Sequence, residues 1–492
     1  MVISSNKIRL ILSENYPLLL PVFIYLVQFF LFLDKRVLYD ENWVAVPVYN
    51  FWGTKGFWVT AVLDGGLPTT VYQFTFYQLL LLGFHLIVPK EIILSRLVNL
   101  FIVVAIFIVL YILSKRIFKN KYWAILPVLI LSTDNIFFIS SYIVRPDIFL
   151  GIGIILTVLL LYDKEFQFRS GKILLIGFLS FVLAGFHPNY ILAIISFIIV
   201  YTGFERHKFT TIENLKTGLK FFLVPITGVI LISALIIFTQ GNSDFNFWKY
   251  LYAYLDKTTT FNNEGAIFHP LKLITEESRR YSEFISFPYR VHIFILSAFA
   301  IFFGLFQHKK VIRILSLLTI LVLFSFFLFI WNKNVRYLSL VLPTVSILIS
   351  FMFYWFYNGW NNLRGKLILL FISLILLSLL VGNILLIKSR WNTSYPEMKS
   401  ALQFKINKED VIIGDLVLWD FYRDANYISY MSDIKSILSH KYDYVILGGK
   451  KTIQDKNRNY FEDRIFPKLN SRLIKVYDNP YYGNFRLYKV NR

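Results

Sequence analysis

Long apolar runs separated by short polar stretches make up most of the first 388 residues. Many of these runs approach the roughly 20 residues that a helix needs to cross the hydrocarbon core of a bilayer. The pattern predicts a polytopic α-helical membrane protein with about 11 spans. The predicted spans are 16–33, 92–114, 122–142, 147–162, 172–186, 189–204, 218–239, 291–306, 311–331, 336–357 and 366–388.

One apolar stretch, Val71–Val88, does not fit as a span. Counting it would place the basic loop 114–121 on the outer side and would invert every later span. We therefore predict a helix lying in the outer interface, where its aromatic residues and His85 suit the headgroup zone. A re-entrant hairpin is the alternative.

Lys and Arg in the short loops indicate the orientation, because basic residues are retained on the cytoplasmic side. Most of them fall in loops that share the side of Lys7 and Arg9. The pattern predicts a cytoplasmic N-terminus. It also predicts a first outer loop over 34–91 and a large, lid-like outer loop over 240–290.

The composition changes after Lys388. Segment 389–492 alternates polar, helix-compatible stretches with strand-like runs at Asp410–Trp419, Tyr442–Leu447, Leu473–Tyr477 and Phe485–Val490. We predict two domains, a membrane domain over 1–388 and a small extracytoplasmic α/β domain over 389–492.

Bulk composition narrows the function classes. The chain has 492 residues, 56% hydrophobic content, a net charge of +21 and no cysteine, which excludes disulfides and thiolate metal sites. The basic residues are spread along predicted cytoplasmic loops and form no single patch, so nucleic acid is not a predicted partner. The sequence has no phosphate-binding glycine loop and no H-E-x-x-H pattern, which argues against a nucleotide-driven pump and a zinc protease.

Unusual polar residues collect at the predicted outer ends of the spans. An acidic pair, Asp40 and Glu41, follows the first span in an aromatic setting. The others are Arg145 and Asp147 between the third and fourth spans, His187 between the fifth and sixth, and Arg336 and Tyr337 at the tenth. Charged groups at membrane depth tend to mark a substrate path.

Each of these residues also has a structural interpretation. The acidic pair could be a solvated loop charge, and Arg145 with Asp147 could be an ion pair at a helix N-terminus. His187 could be a turn residue satisfied by backbone, and Arg336 could anchor a span at the headgroups. Their clustering on one predicted side favours a site.

Such a set suits transfer of a group carried on a lipid phosphate. A carboxylate can take the proton from an acceptor hydroxyl. Arginines can hold the leaving phosphate through paired N–H donors and a permanent charge.

At this point the pattern resembles the GT-C glycosyltransferases, a group that includes protein O-mannosyltransferases, lipid A aminoarabinose transferases and oligosaccharyltransferase catalytic subunits. The resembling segments are YDEN (39–42), the apolar outer helix followed by LSRL (94–97), SYIVRPD (141–147), HPN (187–189) and RYLSLVLP (336–343). The match covers the membrane region and is best over residues 30–200.

The resemblance implies an inverting transfer at the extracytoplasmic face of the inner (plasma) membrane. The donor would be a polyprenyl-phosphate sugar, and the acceptor a cell-envelope glycan, lipid or protein. Asp40 would be the base, although the pair leaves Glu41 open, and Asp147 would orient a substrate. The implied substrate-binding residues are Arg145, His187, Arg336, Tyr337, Arg96 and His85, with Arg336 on the lipid phosphate.

The chain departs from oligosaccharyltransferases by having RPD where they place a metal-binding acidic cluster. We therefore expect no required cofactor and no metal site, with a divalent metal as the less favoured alternative. Besides its substrates, membrane lipids are the expected partners. The competing functions are a transporter or flippase of a lipid-linked or polar substrate and a non-catalytic scaffold. A transporter usually shows repeated halves and broken helices near the midplane, and neither is evident in the sequence.

Overall fold

Helices account for most of the described chain. A computed structural model describes residues 15–50, 75–162, 172–187, 189–204, 274–275, 277–278, 281–282, 288–330, 335–359, 362–430, 432, 434–449 and 456–491. The α-helices there are α1 (Leu19–Phe32), α2 (Tyr39–Asn50), α3 (Thr75–Phe84), α4 (Ile92–Phe118), α5 (Lys121–Thr133), α6 (Asn135–Tyr142), α7 (Asp147–Leu161), α8 (Ile173–Phe186), α9 (Tyr190–Phe204), α10 (Pro288–Leu305), α11 (Lys310–Phe329), α12 (Leu342–Asn358), α13 (Asn362–Ser389), α14 (Tyr395–Leu402), α15 (Ile434–Ser439) and α16 (Lys456–Tyr460).

Three of the described helices are long and apolar enough to cross a membrane by themselves. These are α4, α11 and α13, and the bent pair α5 and α6 would add a fourth. Helices α1, α7, α8, α9 and α10 are apolar but shorter. The count of eleven spans stays a prediction. The predicted span 218–239 and most of the predicted outer loop 240–290 lie outside the described residues.

A 64° bend separates α5 from α6. Asp134 at the bend has an extended backbone, and its Oδ1 accepts a hydrogen bond from Phe137 N at 2.8 Å. A side-chain oxygen that satisfies a free N–H at a helix start favours a new helix at that point. The bend therefore has a local cause in the sequence.

The chain folds into two compact units, each assembled from segments that are distant in sequence. The first unit comprises Met1–Phe29, Asn99–Tyr142 and Pro146–Leu385, and the second comprises Phe30–Val98, Ile143–Arg145 and Leu386–Arg492. The predicted first outer loop thus belongs to the same unit as the C-terminal segment. The domain boundary at 388/389 stays a prediction.

Close backbone approach shapes the first unit around α7. At Gly151 a side chain would meet Ser339 O and Pro343, which belong to the 3-10 helix Val335–Leu340 and to the start of α12. At Gly153 a side chain would overlap the ring of Tyr190 on α9. Glycine at these two positions lets neighbouring segments pack directly on the helix that begins with Asp147.

The second unit contains a five-stranded mixed sheet, which confirms the predicted small C-terminal α/β structure. Its strands are β1 (Val411–Gly414), β2 (Asn426–Ser429), β3 (Tyr444–Gly448), β4 (Ser471–Asn479) and β5 (Gly483–Val490), in the order β2-β1-β3-β5-β4. Strands β2, β1 and β3 are parallel, and β5 and β4 are antiparallel to their neighbours. The extracytoplasmic side of this sheet stays a prediction.

A buried apolar cluster holds the sheet together. Ile413, Ile428 and Val445 come from the three parallel strands and pack with Tyr430 and Phe461. Removing such side chains from water supplies the main favourable free energy for a small domain. The second unit therefore has its own hydrophobic core at the sheet.

Gly448, at the end of β3, allows a test of the close pairing between β3 and β5. Its φ is +98°, and a Cβ there would overlap the carbonyl oxygen of Asn484 on β5. We expect Gly448→Ala to lower the free energy of unfolding by about 2 kcal/mol or more, because both the backbone and the strand pairing would be strained. Thermal unfolding in detergent measures this.

The matched control is Gly83→Ala in α3, where a Cβ would meet nothing within 4 Å. Alanine in that helix should leave stability unchanged or raise it by up to about 1 kcal/mol. Equal effects of the two substitutions would contradict the described strand contact.

Candidate active site

Asp40 lies in the first turn of α2, in the second unit. A helix N-terminus stabilises a carboxylate through the helix dipole. Asp40 is buried, and its Oδ2 lies 2.5 Å from Arg145 Nη1. The structure therefore brings together two of the predicted site residues that are far apart in the chain.

Glu41, the other member of the acidic pair, is fully buried and bound to Arg96. Arg96 Nε donates to Glu41 Oε2 at 2.9 Å, and Nη2 donates to Oε1 at 2.7 Å. The remaining guanidinium N–H groups bond the carbonyl oxygens of Leu33, Lys35 and Arg36 at 2.6 to 2.9 Å. Arg96 thus holds the segment that directly precedes α2 in place.

Glu41 also makes two backbone contacts. Its Oε1 accepts from Leu38 N at 2.9 Å, as the third residue of a helix does when it caps its own N-terminus. Its Oε2 accepts from Val144 N at 3.0 Å. Through the second contact Glu41 holds the residue that directly precedes Arg145.

Asp147 and His187 meet in the first unit. Asp147 begins α7, and its Oδ1 lies 3.3 Å from His187 Nε2, with both side chains buried. The backbone N–H of Asn189 donates to His187 Nδ1 at 3.2 Å, so a neutral His187 carries its proton on Nε2, facing Asp147. His187 therefore has a side-chain partner, Asp147, in addition to the backbone bond that the turn interpretation expects.

Arg336 and Tyr337 lie on the 3-10 helix Val335–Leu340 of the same unit. The Tyr337 ring packs edge-on against His187 at 5.8 Å and is stacked with Phe326 at 6.1 Å. The carbonyl oxygen of Arg336 accepts from Ser140 Oγ at 3.5 Å. Asp147, His187 and Tyr337 therefore form one group, with Arg336 next to Tyr337 in sequence.

His85 lies just after α3 in the second unit, with its ring in a small polar network. Its Nε2 is 2.7 Å from Ser95 Oγ, which is also 2.7 Å from the hydroxyl of Tyr49 on α2. Burial lowers the pKa of His85, and the charges of Lys90 and Arg423 lower it further. This histidine links α2 to the start of α4.

Several interactions of this unit were not anticipated from the sequence. Asn42 Nδ2 donates to the carbonyl oxygens of Leu416 at 3.1 Å and Val417 at 3.0 Å. The Tyr49 ring is stacked with Trp419 at 5.7 Å. Asn42 and Tyr49 follow the acidic pair on α2. The position of Asn42 in YDEN was the only signal that the sequence offered.

Metal ligation finds no support among the residues that the structure describes. No group of three or more His, Cys, Asp or Glu side chains is placed there to hold a metal ion. That the reaction needs no metal stays a prediction.

Comparison with solved structures identifies the fold. The chain is similar to ArnT from Cupriavidus metallidurans bound to undecaprenyl phosphate, with a TM-score of 0.64 at 13% identity over 96% of this chain and 98% of that one. It is also similar to an oligosaccharyltransferase from Archaeoglobus fulgidus, with a TM-score of 0.52 at 11% identity over 96% and 74%. No protein-family model and no curated protein sequence matches the chain.

These similarities confirm the predicted resemblance to the GT-C group at the level of the fold. The likeness extends over nearly the whole chain, including the C-terminal sheet region. At such low identity the function of the site rests on its own residues.

We expect Arg96→Met to destabilise the protein by about 3–5 kcal/mol, because it leaves the Glu41 carboxylate buried without its charge partner. The measurement is thermal or denaturant unfolding of the full chain in detergent. Arg472→Met, at an exposed position on β4, is the matched control and should stay within about 0.5 kcal/mol of wild type. Similar losses in both variants would contradict the described role of Arg96.

The lowered pKa of His85 predicts a pH dependence of stability. His85 has its ordinary pKa of 6.5 in the unfolded chain and a lower pKa in the folded protein. As the pH falls from 6.5 through the lowered value, the unfolded chain binds this proton more readily, so the folded protein loses stability. His85→Gln should make the melting temperature fall less than that of wild type as the pH drops from 7.5 to 5. A wild-type slope in His85→Gln would contradict the assignment.

Proposed function

We propose that the chain is an integral-membrane glycosyltransferase with Asp40 as general base. It moves a sugar from a polyprenyl-phosphate donor to an extracytoplasmic glycan, lipid or protein acceptor. The observation that carries the proposal is the buried Asp40–Arg145 pair at the start of α2, in a chain with the fold of ArnT. ArnT itself was solved bound to undecaprenyl phosphate.

The hydrogen bonds of the acidic pair support Asp40 over Glu41 as the base. Both oxygens of Glu41 accept from Arg96, and each accepts a further backbone N–H. These four donors occupy the lone-pair sites of both Glu41 oxygens, so the carboxylate has no site left to accept from an acceptor hydroxyl. Glu41 and Arg96 therefore act as positioning residues in this proposal, and Arg96 is reassigned from substrate binding to the scaffold.

In the proposed step Asp40 accepts the proton of an acceptor hydroxyl. The acceptor oxygen forms a bond to the anomeric carbon from the face opposite the leaving group. The bond between that carbon and the phosphate oxygen breaks, and polyprenyl phosphate leaves with the electron pair. Arg145 supplies a positive charge beside the carboxylate, which must be ionised to act as a base.

The leaving phosphate needs a cation, and we assign this role to Arg336. A guanidinium keeps its charge at every working pH and can bind two phosphate oxygens at once. Asp147, His187 and Tyr337 then orient a substrate near the start of α7. His85 supports α2 through Ser95 and Tyr49, and it has no direct substrate role in this scheme.

This function places the catalytic face on the extracytoplasmic side of the plasma membrane, with the N-terminus in the cytoplasm. A divalent metal is not required by the proposed step. The alternative, a flippase of a lipid-linked substrate, would share donor binding but would form no glycosidic bond.

We expect Asp40→Asn to lower sugar transfer by about 10²–10⁴-fold, because the amide cannot accept the hydroxyl proton. The assay supplies purified protein in lipid with polyprenyl-phosphate sugars and extracted cell-envelope acceptors, with and without a chelator. Retained donor binding and an unchanged melting temperature would show that the variant is folded.

Asp424→Asn is the matched control, because Asp424 is an exposed carboxylate of the same unit. It should transfer sugar at the wild-type rate. Wild-type transfer by Asp40→Asn would refute the assignment of the base. Donor movement across liposomes without any transfer would favour the flippase.

A further inference from the structure

A cleft of about 500 Å³ lies within the second unit, between the start of α4 and helix α14. Ile92 and Pro396 give it apolar walls, and Glu91, Lys399, Gln403 and Asp420 give it polar ones. This size is in the usual range for a small-molecule site in a protein. The proposed mechanism uses none of these residues.

Asp420 is the buried polar group of the cleft. Its carboxylate lies 3.6 Å from Lys399 Nζ and 3.3 Å from Arg423 Nη1. Burial raises the pKa of Asp420 in spite of these two cations, and the charge of Glu91 raises it further. The carboxylate of Asp420 offers acceptor oxygens to the hydroxyl groups of a ligand.

The charges of the cleft argue against a strongly charged ligand. The carboxylates of Glu91 and Asp420 would repel an anion. Lys399, and Arg423 paired with Asp420, would repel a cation. A metal ion would need more carboxylate or histidine ligands than the described residues assemble here. A neutral polyol fits, because its hydroxyls donate and accept while its C–H face packs on apolar walls.

The cleft is joined to the helix that carries Asp40 through one carbonyl group. Val417 O accepts from Tyr395, a lining residue, at 2.9 Å and from Asn42 at 3.0 Å. Asn42 is two residues beyond Asp40 on α2. The Tyr49–Trp419 stack fixes the other end of α2 to the segment that contains Asp420.

We propose that this cleft binds a sugar residue of the glycosyl acceptor through its hydroxyl groups. The proposal rests on the glycosyltransferase function, and it adds that the acceptor carries carbohydrate. The cleft would hold a sugar unit of the acceptor while another part of that molecule presents the reacting hydroxyl to Asp40.

The direct test measures glycan binding without any donor. Full-length protein in detergent is applied to an array of neutral, aminated and acidic glycans. Wild type and Asp40→Asn should bind neutral glycans, whereas Ser400→Trp, which fills the cleft with an indole, should lose binding by at least about tenfold. Ala401→Trp is the matched control, because Ala401 is the exposed neighbour of Ser400 and does not line the cleft.

A second arm uses the transfer assay. Ser400→Trp should raise the KM for the acceptor and leave the KM for the polyprenyl-phosphate donor unchanged, which distinguishes an acceptor sugar from the sugar of the donor. Lys399→Met should shift the same constant in the same direction, with Lys408→Met at an exposed position as control.

The outcomes separate this inference from the proposed function. Absence of glycan binding by wild type, or equal binding by Ser400→Trp and Ala401→Trp, would overturn the acceptor site. Selective binding of acidic or of aminated glycans would also overturn it, because the cleft would then hold a charged ligand. Glycan binding that depends on the cleft, together with no transfer under any condition, would leave the cleft intact and refute the transferase.

Discussion

The ion pair between Glu41 and Arg96 is the interaction on which the arrangement around α2 depends. It is fully buried, and the guanidinium uses all its N–H groups on the carboxylate and on three backbone carbonyls. Two charges removed from water are stable only when every hydrogen bond is made, which is the case here. The pair sets where α2 begins and holds Val144 beside it, so Arg145 reaches Asp40. The two adjacent acids therefore have different partners: Glu41 binds Arg96 within the scaffold, and Asp40, the base that we propose, pairs with Arg145.

This division of roles gives the second unit its organisation. Helix α2 carries Asp40 at its first turn, Asn42 half a turn later and Tyr49 near its end. Each of these residues contacts a different segment, namely Arg145, the Leu416–Phe421 3-10 helix and the His85–Ser95 network. A helix fixed at three points holds its side chains more precisely than a loop does. The C-terminal segment is thus part of the surroundings of Asp40.

Much of the fold could be predicted from apolar run length, because that signal is local. Strands β1, β3, β4 and β5 fall within or overlap the predicted runs, whereas β2 at Asn426–Ser429 was missed since four residues carry too little pattern. The predicted strand ending at Trp419 was too long, because Asp415 starts a 3-10 helix there by accepting from Val417 N. The roles of Asp40 and Glu41 could not be separated, because Arg96 lies 55 residues from Glu41 and only the fold brings them together. The sequence pattern likewise did not single out Asp420, because its neighbours in the cleft, such as Glu91, come close only in the fold.

Many long-range polar interactions of the second unit end on backbone carbonyls. Arg96 binds three of them, Asn42 binds two, Arg423 bonds Lys90 O, and Asn479 bonds Asn392 O. A carbonyl is present whatever side chain stands at its position, so only the donor residue has to be kept during evolution. Leu33, Lys35, Val417 and Asn392 can then change type without loss of these bonds. Divergent sequences can in this way retain one architecture, which fits a shared fold at 13% identity.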